Sequence, residues 1–80
     1  MTERERAFKL LQRIERELEK IEAKKRDTES ALADPALYGN PKSERVADLQ
    51  RDAAECAMTI ERLEGEWLQA QSALESAGSD

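Results

Sequence analysis

Apolar residues recur along this chain in alternating steps of four and three. One series runs Ala7, Leu11, Ile14, Leu18, Ile21, Lys25, Thr28, Leu32, broken only by Lys25 and Thr28. A second runs Val46, Leu49, Ala53, Cys56, Ile60, Leu63, Trp67, Ala70, Leu74 without a break. Such spacing keeps one stripe of a helix facing a partner helix, the signature of a heptad seam. The pattern predicts an all-α chain: helix 1 over about 3–33, a turn over 34–40, helix 2 over about 41–76 and a frayed tail at 77–80. The ends carry their own signals. Thr2 and Glu5 have capping-box spacing. Asp34-Pro35 stops the first helix, because the residue before a proline is pushed out of helical geometry. Asn40-Pro41 reads as an N-cap followed by a proline at the first helical position. Gly78 stands where a helix stop is expected.

Two seams joined by a short turn predict an antiparallel two-helix coiled-coil hairpin with an ordered turn, in one domain spanning 1–80. A register in which paired residue numbers sum to 81 places Leu32 against Leu49, Ile21 against Ile60, Ile14 against Trp67 and Ala7 against Leu74. Its midpoint falls inside the turn, and large residues often meet small ones, as at Leu11–Ala70 and Ala7–Leu74, which interdigitated packing prefers. The register carries two costs. Lys25 and Thr28 sit in the seam, where Lys25 is expected to bury its stem and lift its ammonium to water. Glu17 would flank Glu66, and Glu15 would flank Glu64.

The turn, ADPALYGNPKSE at 33–44, holds both prolines, one of three glycines and the only tyrosine. Asp34 is expected to cap a short helical turn from Pro35 to Tyr38. Leu37 and Tyr38 are expected to fold back over the last core layer, and Gly39 to let the chain reverse.

Composition narrows the functional classes. Of the 80 residues, 39% are hydrophobic, 39% charged and 4% aromatic, which suits long helices better than a compact globule. One cysteine and no histidine exclude an internal disulfide framework and argue against a zinc site. Nucleophilic catalysis has no partner set, and Cys56 falls on the inward seam. The chain carries no G-x-x-x-x-G-K-[ST] phosphate loop. Neither a signal peptide nor a long apolar run is present in the sequence, and a cytoplasmic location is expected.

Net charge is −5 but uneven, with a net of +1 over residues 1–33 and −6 over 34–80. Lys20, Lys24, Lys25 and Arg26 lie near the turn on helix 1, and Lys42, Arg45 and Arg51 near it on helix 2. Together they form a candidate patch for phosphate contact, positioning without sequence readout. Intervening acids leave residues 20–51 at only +1. At the other end Phe8, Leu10 and Leu68 lie off the seam and broaden the apolar stripe, as a docking or self-association surface would.

The segment LADPALYGN after a charged helix, followed by a helix ending GEWLQAQSALES, resembles the C-terminal domain of ABC-F ATPases, nearest the Uup and YheS branch. The turn pattern L-x-D-x-x-L-Y is met by Leu32, Asp34, Leu37 and Tyr38, and the late pattern by Trp67, Leu68 and Leu74. The resemblance spans roughly residues 10–76. It implies that the chain is a non-catalytic accessory domain of a soluble ATPase whose tandem cassettes bind ATP and Mg, with no cofactor in this segment. It further implies contact with ribosomal RNA, tRNA or DNA, which the turn end would make. The alternative is a protein–protein coiled-coil module that dimerises or docks on the ATPase cassettes or another partner, with no nucleic acid, metal or membrane involved. A free-standing hairpin chaperone of prefoldin type fits less well, because ADPALYGNP is a turn and not a sheet-forming segment.

Overall fold

A computed structural model of the chain describes residues 2–39 and 44–78. It contains helix α1 (Glu3–Leu32), a 3-10 turn (Pro35–Gly39) and helix α2 (Arg45–Gly78). The two helices pack along their lengths as a hairpin, and no strand occurs among the described residues. The rod measures 61 × 16 × 14 Å.

Helix α1 begins as its sequence dictates. Thr2 is extended at φ −76°, ψ 163°, and its Oγ1 accepts the Glu5 N–H at 3.2 Å. Glu3 and Glu5 place negative charge on the first turn, where the free N–H groups favour it. At the other end the Ala33 N–H donates to the carbonyls of Glu29 and Ser30, and the Asp34 N–H to that of Ala31 at 3.2 Å.

The turn is held by its own side chains. An Asp34 carboxylate oxygen accepts the Ala36 N–H at 3.0 Å, and the Asp34 carbonyl accepts the Leu37 N–H at 3.1 Å. The Tyr38 hydroxyl donates to the Leu32 carbonyl at 2.6 Å, satisfying one of the carbonyls that a helix end leaves without an intrahelical donor. Leu37 is half-buried, whereas Tyr38 stays 57% exposed. Tyr38 therefore does not bury its ring over the core as expected; it acts through its hydroxyl on the helix end. No described glycine has a positive φ, so Gly39 does not use the left-handed region. Asn40, Pro41 and Lys42 lie outside the described residues. On the far side, Arg45 starts α2, and the Asp48 N–H reaches the Glu44 carbonyl at 3.1 Å.

Every seam residue is buried or half-buried. Leu11, Ile14, Leu63 and Ala70 form the buried cluster, with Leu18, Ile21, Trp67 and Leu74 packed against it. Ile14 and Leu63 are each 2% exposed and Cys56 1%. The two polar seam positions are accommodated differently. Thr28 is buried, and its hydroxyl donates to the Lys24 carbonyl at 2.9 Å, one turn back. Lys25 is half-buried, and its ammonium escapes to Glu29 at 3.8 Å.

The expected clash of carboxylates is relieved in place. Glu17 pairs with Arg13 at 3.8 Å and Glu66 with Arg62 at 3.9 Å, each within its own helix. Glu15 accepts the indole N–H of Trp67 at 3.2 Å. That bond crosses between helices at residue numbers summing to 82, within one residue of the predicted register.

Candidate nucleic-acid interface

Successive helical residues point about 100° apart, so the run Lys24-Lys25-Arg26 cannot act as one patch. Lys25 lies on the seam, and its neighbours project from opposite flanks. Lys20 and Lys24, one turn apart, share a flank. With Glu17 and Thr59 they border a shallow groove floored by Ile21 and Leu63. Both are exposed, and neither enters an ion pair among the described residues. Arg26 is exposed on the other flank. Arg51 is exposed but lies 3.8 Å from Asp48, and Arg45 is exposed at the start of α2. Lys42 lies outside the described residues. Geometry thus brings Lys20 and Lys24 together, ties Lys25 and Arg51 to carboxylates, and separates Arg26 from the pair.

The turn residues Asp34, Pro35, Leu37, Tyr38 and Gly39 form one compact unit. The Tyr38 hydroxyl is occupied by the backbone while its ring faces solvent.

At the end where the termini meet, Phe8 is 53%, Leu10 42% and Leu68 63% exposed. They do not merge into one patch. Leu10 walls a groove with Ala7 and Ala73 that continues past Ile14 and Ala70. Phe8, two residues away, projects from the opposite flank. The sequence reading overlooked Met58, the most exposed of the large hydrophobic side chains at 70%, and the open surface at Gly65. A second row of four-and-three spacing on α2 would have revealed both.

Among the described residues, no group of three His, Cys, Asp or Glu side chains is placed to hold a metal ion. Among the described residues, no buried side-chain nitrogen or oxygen lacks a hydrogen-bond partner. No described helix is long and apolar enough to cross a membrane.

A long paired-helix rod with a pinned tip and solvated charge is a helical-hairpin accessory module. Residues 5–72 match the model of the ABC transporter C-terminal domain, and the chain belongs to that family. It is the accessory C-terminal domain of an ABC-type ATPase and not an ATP-binding cassette. No curated protein and no solved structure shows significant similarity to it.

Proposed function

We propose that this domain serves an ABC-F type ATPase as a nucleic-acid-contacting arm, meeting ribosomal RNA, tRNA or DNA near its turn end. The observation that carries the reading is the pairing of Lys20 and Lys24. They are exposed, one turn apart and in no ion pair among the described residues, as suits phosphate contact. Arg26 adds a contact on the other flank. Lys25 and Arg51 contribute less, because a phosphate must first draw them from Glu29 and Asp48.

The test is an NMR titration of the labelled chain with a short DNA duplex and with a structured RNA, at several salt concentrations. Shifts are expected at residues 20–26 and near the start of α2, fading as salt rises. Replacing Lys20 and Lys24 together with Gln should lower the log–log salt slope by about 2 for duplex DNA. The same slope in the double variant and the parent chain rejects the assignment.

The groove walled by Leu10 and Ala73 favours a second reading, docking of the terminal end on the cassettes of the parent chain. A Leu10→Glu substitution that weakens association between the chain and those cassettes, while leaving nucleic-acid shifts intact, would select it.

A further inference from the structure

The outward faces of the two helices differ in kind. On α1 the line opposite the seam carries Glu5, Lys9, Arg16, Glu19 and Arg26, an ordinary solvated surface. On α2 the corresponding line reads Ala54, Met58, Glu61, Gly65, Leu68, Ser72, again in steps of four and three. All six residues are exposed. Met58 and Leu68 are 70% and 63% exposed, the two highest values among the large hydrophobics. Gly65 sits mid-helix, where glycine disfavours the helix, and a Cβ there would meet nothing within 4 Å. Nothing inside the molecule uses this row, yet its spacing is that of a helix-packing seam.

We propose that this row is a homodimer seam, in which α2 of one chain packs antiparallel against α2 of a second copy. The row complements itself in that direction. With paired residue numbers summing to 126, Met58 meets Leu68 of the second copy, Ala54 meets Ser72, and Glu61 lies over Gly65. The layers are then an apolar Met58–Leu68 pair, a small Ala54–Ser72 pair that lets the backbones approach, and Glu61 over Gly65. Because the relation is symmetric, the contact closes at two chains. The one acid in the row is accommodated by the same register. Glu61 finds the space that the missing Cβ of Gly65 leaves, on the flank that carries Arg62 of the second copy. A parallel pairing would instead stack Glu61 on its own symmetry mate. The seam stands apart from Lys20 and Lys24 and from the groove at Leu10, so it holds or fails independently of the nucleic-acid reading.

Sedimentation of the chain from roughly 10 µM to 1 mM, a range that covers weak but specific association, is the first measurement. Moderate salt screens the repulsion between two chains of net charge −5. The mass should rise from 9.1 kDa toward twice that value, and Met58→Glu with Leu68→Glu should hold it at the monomer. Both positions are exposed, so circular dichroism of that variant should match the parent chain. A second measurement fixes the register: Glu61→Cys and Gly65→Cys chains are mixed under oxidised glutathione, which takes up the two electrons of each disulfide formed. Cross-linking between the two different chains should outpace cross-linking within either pure sample, with Cys56 buried and apart from it. A monomer throughout, a dimer indifferent to the charged substitutions, or no preference for the mixed disulfide would each overturn the proposal.

Discussion

Replacing Lys25 with Leu should make the domain more stable while removing a charge from the middle of its basic run. Lys25 occupies a seam position, half-buried, with its side chain 39% exposed. A leucine there would bury roughly three-fifths of its surface. Full burial of such a side chain is worth about 1.5–3 kcal/mol, so the gain is about 1–1.5 kcal/mol once the burial of the existing lysine stem is allowed for. Against it stands the Lys25–Glu29 pair, whose two side chains are 39% and 57% exposed. An exposed pair one turn apart on a helix contributes only about 0.3–0.5 kcal/mol. The net is a stabilisation of about 1 kcal/mol, or roughly 4–8 °C in Tm for a domain of this size. Thermal and urea unfolding followed by circular dichroism would read it, with the urea midpoint raised and the slope unchanged. A lowered midpoint would refute the reasoning, because it would mean that the ammonium supports the fold more than the seam tolerates it.

Tyr38→Phe keeps the exposed ring and removes only the bond to the Leu32 carbonyl. It should cost about 0.5–1.5 kcal/mol in unfolding experiments while leaving any shift caused by nucleic acid in place, which separates a structural hydroxyl from a recognising ring. Gly65→Ala adds a methyl that meets nothing within 4 Å, so in dilute solution the chain should gain about 0.5–1 kcal/mol from helix propensity. A loss in that experiment would contradict the open surface described at Gly65.

Much of the fold was legible because one physical rule repeats along the chain. Each four-and-three step of the two seam series marks a residue that the structure buries or half-buries, from Ala7 to Leu74. The capping role of Asp34 was equally readable, since a short carboxylate before proline has few other uses. What the pattern did not disclose were the relations that depend on the shape of a side chain. Glu15 accepts from Trp67, and Glu17 and Glu66 each turn to an arginine of their own helix, so a conflict visible in one dimension is resolved in three. Tyr38 looked like a core residue because aromatic rings usually are, yet its hydroxyl serves a helix end. The candidate site was only coarsely legible. A run of three cations reads as a patch on paper, but helical geometry sends its members to a seam and two flanks. Met58 and Gly65 escaped notice because the periodicity was followed along a single stripe.

The hairpin's pairing rule also bears on how it forms. Partners next to the turn, such as Leu32 and Leu49, are separated by about 17 residues, whereas Ala7 and Leu74 are separated by about 67. A fourfold longer loop costs about 1.2 kcal/mol more to close. Assembly therefore favours zippering from the turn end, where Asp34 and Tyr38 hold the 3-10 turn against the end of α1. Substitutions beside the turn should slow folding, whereas those near Leu11 and Ala70 should chiefly hasten unfolding. On that order of assembly the terminal end is expected to open before the turn end, so the surface that a docking partner would grip would also be the first part of the rod to separate.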